Sequence, residues 1–117
     1  MSDKTPLRLI KGTVDILILK ALSRGEAHGY GVSTWIRETS GGELGLEDAA
    51  LYQALHRLEG KELIASRWGR SENNRRAKFY RLTASGERRL ETEASRYRRY
   101  ASAVFRVLDA VSGDVST

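Results

Sequence analysis

The sequence contains no cysteine, which excludes disulfides, thiolate catalysis and any cysteine-ligated zinc site. It has only two histidines, His28 and His56, too far apart for a compact histidine metal motif, so no metal or other cofactor is expected. No apolar run exceeds four residues, the length of Ile16 to Leu19, far short of a membrane span. Met1 to Ile10 carry charges and lack the apolar centre of a signal peptide. No nucleophile has an evident base, no glycine-rich phosphate loop is present, and Asp15, Glu59 and Glu62 are scattered singly, so an enzyme is not expected. What remains is 117 residues, enough for one small core, with 40% hydrophobic and 30% charged residues. The expectation is a cytoplasmic globular protein with no membrane partner.

The charge is unevenly placed. Twenty Lys and Arg stand against fifteen Asp and Glu, and residues 67–81 alone hold six cations (Arg67, Arg70, Arg75, Arg76, Lys78, Arg81) and one anion, Glu72. The other 102 residues hold fourteen of each sign, so the whole excess of +5 lies in fifteen residues. A localised basic element on a neutral body points to a phosphate-bearing partner.

After a polar arm containing the only proline, Pro6, the residues Val14, Leu17, Ile18, Ala21 and Leu22 recur at helical spacing. Thr13 is the expected N-cap of this helix, and Ser23-Arg24-Gly25 its end. A second helix is predicted over 29–39, with Val32, Trp35 and Ile36 inward and His28 as a capping or core residue. After Gly41-Gly42 and a loop to Gly45, a third is predicted over 47–61. On a helical wheel Leu51, Ala54, Leu55 and Leu58 form its apolar stripe. The opposite side presents Ala49, Gln53 and His56, flanked by Tyr52 and Arg57. This outer face carries small, amide and imidazole groups where a solvent-facing helix usually has Lys and Glu.

Two strand-like stretches, 64–68 and 77–82, enclose the turn-rich loop 69–76, a hairpin with a basic tip that includes Asn73, Asn74, Arg75 and Arg76. Trp35 and Trp68 are expected in the core, the alternative for Trp68, on the strand before the wing, being the space between domains. Thr83 then caps a long helix running to about Val111. Along it Leu90, Ala94, Tyr97, Ala101, Val104, Leu108 and Val111 are spaced 4, 3, 4, 3, 4, 3, a heptad seam. At about 40 Å this helix is longer than so small a core needs. A second copy of the chain is the simplest partner for the seam, and folding back over the first helix is the alternative.

Three short helices followed by a hairpin is the order of a winged helix-turn-helix, a mainly α fold in which the third helix enters the major groove. The expected division is a DNA-binding module over 1–83 and a dimerisation helix and tail over 84–117. The DNA-facing residues expected are Ala49, Tyr52, Gln53, His56 and Arg57 on the third helix, with Asn73, Asn74, Arg75, Arg76 and Lys78 in the wing. Gln53 points directly away from the core with a carboxamide suited to adenine. Tyr52 either contacts phosphate or packs against the wing.

These same stretches resemble a known family. Lys11-Gly-Thr-Val-Asp-Ile-Leu-Ile-Leu, His28-Gly-Tyr-Gly-Val, Leu51-Tyr-Gln-Ala-Leu-His-Arg-Leu-Glu and Ser71-Glu-Asn-Asn-Arg-Arg-Ala-Lys-Phe-Tyr-Arg-Leu-Thr-Ala-Ser-Gly are similar to the PadR family of bacterial transcriptional regulators. The likeness runs over about residues 7–110. Its compact subfamily, with a single C-terminal helix, implies a dimer, usually a repressor, with Tyr52, Gln53, His56 and Arg57 at double-stranded DNA and Arg75 and Arg76 in the wing. The chain departs from the pattern at Ala49-Ala50, at Gln53, often Pro in the family, and at Glu62, where glycine commonly precedes Leu63. The first two changes bear on the operator, and the third on how the third helix ends. A small-molecule inducer between the two copies, where seam alanines leave space, is a further expectation. The competing reading is a winged helix used as a scaffold for protein or RNA, which should expose large apolar groups on the third helix.

Overall fold

The computed structural model describes residues 7–9 and 12–111. The N-terminal arm with Pro6, and the tail after Val111, lie outside them. The element order is β1 (Leu7–Arg8), α1 (Thr13–Ser23), β2 (Ala27–His28), α2 (Gly29–Thr39), β3 (Leu44–Gly45), α3 (Asp48–Gly60), β4 (Ile64–Arg70), β5 (Arg76–Leu82) and α4 (Ala84–Leu108). The arrangement is the expected winged helix-turn-helix, mainly helical with a small sheet.

Helix α1 is the centre of the molecule, packed by α2, α3, α4 and β5. Val14, Ile18, Leu19, Ala21 and Leu22 are buried and Ile16 and Leu17 half-buried, so its apolar stripe is wide because neighbours surround it. The expected cap is corrected here. Thr13 is the first helical residue, and Gly12 stands at the N-cap with φ 95, a backbone conformation open to glycine, without a side-chain cap. Helix α2 has its expected bounds. Its N-cap is His28, whose Nδ1 accepts a hydrogen bond from the Gly31 amide at 3.0 Å. Helix α3 buries Leu51, Ala54, Leu55 and Leu58. It starts one residue later than expected, with Glu47 as N-cap, and ends one residue earlier.

The end of α3 is set by backbone geometry. The Glu62 amide donates to the Glu59 carbonyl and the Leu63 amide to the Leu58 carbonyl, the paired bonds of a Schellman motif. That motif needs a left-handed residue at its turn, and Glu62 supplies it at φ 60. Leu58 and Leu63, both buried, close the apolar contact that accompanies such a turn.

The sheet is larger than the sequence suggests. Strands β4 and β5 pair antiparallel from Ile64↔Leu82 to Arg70↔Arg76, so Gly69, Arg70 and Arg76, expected in the loop, belong to the ladder. The turn shrinks to Ser71–Arg75. The Asn74 amide donates to the Ser71 carbonyl, the Ser71 amide donates to the Arg75 carbonyl, and Asn74 sits at φ 59. This is the bonding of a three-residue hairpin loop whose last residue is left-handed, a place asparagine tolerates. Strand β2 adds a third member through Ala27↔Tyr80 and His28↔Phe79. A separate parallel bridge joins β1 to β3.

One residue, Thr83, connects β5 to α4. Its hydroxyl accepts from the Gly86 amide at 3.0 Å and reaches the carbonyls of Glu62 and Leu63, while its own amide donates to the Leu63 carbonyl at 3.1 Å. Gly86 is buried against the same carbonyl. Further along α4, Leu90 packs on the core. Beyond Tyr97 the large apolar side chains stand in solvent: Phe105 is 59% and Leu108 70% exposed. The helix ends at Leu108, so Val111 lies past it.

Candidate nucleic-acid interface

Helix α3 has its leucine stripe fixed in the core, and this turns the other side outward. Ala49, Gln53 and His56 are all exposed, and no large aliphatic residue joins them. Tyr52 leaves this face sideways. Its ring lies over Gly29 so closely that a Cβ there would meet its outer atoms at 3.0 Å, so a larger residue at the start of α2 would push the Tyr52 ring aside.

The flank of α3 and the wing then share one open groove of about 430 Å³. Tyr52 lines one side, and Asn73, Arg75, Arg76 and Lys78 the other, over a floor that includes Tyr80. Burial, and after it the Glu59 carboxylate, push the Tyr80 phenol above its usual range, so it stays neutral. Asn74 belongs to the same tip, where its carbonyl accepts from Arg70 at 3.2 Å.

Three cations of α3 and the wing are held by carboxylates from elsewhere in the chain. Arg57 pairs with Asp15 of α1. Lys78 lies 3.5 Å from Glu59 of α3, which also accepts from Ser66 of β4 and so ties the wing to the helix. Arg67 grips Glu26 through two nitrogens, at 2.9 and 2.6 Å. That hydrogen-bonded guanidinium holds the exposed Glu26 carboxyl below the ordinary carboxylate range. Arg75 and Arg76 have no ion-pair partner among the described residues. Arg76 lies instead over the Trp68 ring at 4.4 Å.

Trp68 is therefore a correction. It is 57% exposed, because its register opposite Lys78 places it beyond the end of the core. Trp35 is half-buried against the core, with Arg24 stacked at 4.7 Å. Of the expected interface residues, the structure brings Tyr52 together with Asn73, Arg75, Arg76 and Lys78. Gln53, Ala49 and His56 lie on the adjoining outer face of α3, and Arg57 is turned toward α1. Tyr30, 71% exposed, lines the same groove and was missed. Its signal is weak: an aromatic one residue into a helix, off the inward stripe.

A helix-turn-helix core with an outward α3 and a basic hairpin defines a winged-helix DNA-binding regulator. The comparisons agree. A family model described as the transcriptional regulator PadR-like family matches residues 18–92. An uncharacterized protein of Lysinibacillus sphaericus is 30% identical over 79 residues, 68% of this chain and 72% of that protein. A PadR family transcription regulator from Clostridium difficile superposes with a TM-score of 0.72 at 31% identity, over 83% of this chain and 99% of that one. Bacillus subtilis PadR in complex with operator DNA superposes with a TM-score of 0.62 at 25% identity, over 71% of this chain and 47% of that one. The chain belongs to the PadR-like family of transcriptional regulators.

No described helix is long and apolar enough to cross a membrane.

Proposed function

We propose that this protein is a sequence-specific, homodimeric repressor that acts on double-stranded DNA in the cytoplasm and has no catalytic activity. The carrying observation is the continuity of two surfaces: the outer face of α3, free of large aliphatic groups, runs into a groove whose far wall holds Arg75 and Arg76, which have no ion-pair partner among the described residues. A protein-binding scaffold would expose large aliphatic groups on α3, whereas the one large ring exposed there, Tyr52, carries a hydroxyl. In the DNA reading, Ala49, Gln53 and His56 approach base edges, and Tyr52, Asn73, Asn74, Arg75, Arg76 and Lys78 serve the backbone. Arg57 joins them only by leaving Asp15. The operator of the Bacillus subtilis relative is the model for the partner.

Residues 1–83 form the binding module and 84–117 the dimerisation segment. Support for the dimer comes from α4, where Tyr97, Val104 and Leu108 are exposed along the same seam as the half-buried Ala94 and Ala101. Leu90, the first seam position, is spent on the chain's own core. Burying such a face against a second copy gains about 25 cal/mol per Å² of apolar surface, set against the freedom lost on association. Ala94 and Ala101 leave room between the copies for a small inducer.

The test is the salt dependence of binding to duplex DNA. Arg75→Ala should weaken binding to every sequence alike and flatten the slope of log K against log salt by roughly one unit. An unchanged slope would mean that the wing does not touch the backbone.

A further inference from the structure

The exposed large apolar side chains among the described residues fall into two groups. One is the run on α4 from Tyr97 onward. The other comprises Tyr30, Tyr52 and Trp68: the two tyrosines line the groove between α2, α3 and the wing, and Trp68 adjoins it through Arg76. Each member of this second group joins an apolar ring to a hydrogen-bond donor, a combination suited to a surface that is half wet. An aliphatic patch of equal size would fit a protein partner; two phenols, an indole and two arginines fit a sugar–phosphate chain.

We infer that one backbone strand of the bound duplex lies in this groove, with Tyr30 as an unassigned phosphate contact and Trp68 as a positioning residue for Arg76. The inference rests on the DNA reading above. Tyr30 and Tyr52 form the wall on the α2 and α3 side. Both phenols can donate to phosphate oxygens while their rings cover deoxyribose. On the wing side, Trp68 and Arg76 share one face of the hairpin: Trp68 is opposite Lys78, and Arg76 is two residues along the partner strand. The guanidinium, 4.4 Å from the indole, is thereby held in one place before any phosphate arrives, so less freedom is lost on binding. The one carboxylate on the groove's lining, Glu72, is at the exposed turn. Glu59 reaches Lys78 from the α3 side and leaves Arg75 and Arg76 as the free cations.

Charge and donor contributions separate experimentally. The full chain is titrated onto a fluorescent random-sequence duplex of about three helical turns, by anisotropy, over a range of sodium chloride concentrations. Tyr30→Phe should weaken binding by roughly three- to tenfold, the worth of one hydrogen bond, with the salt slope unchanged because no charge is lost. Trp68→Ala should weaken it with the slope likewise unchanged, since Arg76 is still present but no longer held. Arg76→Ala should lower both affinity and slope, the latter by roughly 0.9 for one phosphate. Tyr30 is an exposed residue, so its variants keep the fold. If Tyr30→Phe and Tyr30→Ala both bind as the parent does, the strand does not run in this groove, although the DNA reading stands. If the parent shows no salt-dependent affinity for duplex DNA, the DNA reading falls and this inference with it.

Discussion

Gly86 is the position where a single methyl group should do most harm. A Cβ added there would lie 2.0 Å from the Leu63 carbonyl oxygen and 3.0 Å from the Leu82 Cδ1. The oxygen is backbone and cannot turn aside, so the first turn of α4 must retreat by more than an ångström. That retreat pulls on the same joint that Thr83 makes, where its amide and hydroxyl bond Leu63 and its oxygen caps Gly86. Loss of the cap costs about 1 kcal/mol. Loss of one backbone bond costs about 1 kcal/mol more, and residual overpacking about 1–3 kcal/mol. Against this stands about 1 kcal/mol from replacing glycine by alanine in a helix. The net expectation for Gly86→Ala is a destabilisation of about 2–4 kcal/mol, a fall in Tm of roughly 8–16 °C for a domain of this size. Thermal unfolding followed by circular dichroism, at a fixed protein concentration, measures it. Gly60→Ala is the control: a Cβ there meets nothing within 4 Å, so Tm should hold or rise. A Gly86→Ala variant that melts with or above the parent would refute the close approach of α4 to Leu63.

Glu62→Gly should stabilise the protein by about 0.5–1 kcal/mol, since a side chain at φ 60 strains the backbone; chemical denaturation would show a higher midpoint with the same m-value. A lower midpoint would mean that the glutamate side chain matters more than its backbone. Gln53→Ala should cost roughly 1–3 kcal/mol on a preferred site, selected from random oligonucleotides, and leave non-specific affinity nearly unchanged. Equal losses on both would reduce Gln53 to a positioning role. Ala101→Glu places like charges in the proposed seam and should give a monomer by sedimentation velocity, and a parent chain that is itself monomeric at micromolar concentration would contradict the seam.

Elements with strong periodicity are legible in the sequence: the leucine stripe of α3, the bounds of α2, and the Thr83 cap followed by a long helix. The two-residue strands were not. Ala27–His28 and Leu44–Gly45 are too short for an alternating pattern, and exist as strands because β5 and β1 lie beside them. The wing was misjudged at its ends because Gly69 and Arg70 read as turn formers. In fact Gly69 is a ladder residue that lets Phe79 approach, a Cβ there coming within 3.1 Å of the ring. The cations of α3 and the wing were legible as charge but not as available charge. Glu26, Asp15 and Glu59 neutralise Arg67, Arg57 and Lys78 from distant parts of the chain, two of the pairs being 41 and 42 residues apart, and only the fold brings them together.

The single-residue joint at Thr83 also has a mechanical consequence. Strand β5 ends at Leu82 and α4 begins at Ala84, so no slack separates the wing from the helix that carries the seam. Helix α4 is a beam of 25 residues, about 37 Å long, clamped to the binding module at its first turns and free at its last. A pair of such beams joined at their free ends acts as calipers. Tilting each by only about 10° at the seam displaces its clamped end by roughly 6 Å, close to two base-pair steps along a duplex. In the proposed dimer, the spacing between the two copies of α3 is then set far from the DNA, by whatever fixes the angle at which the seam closes.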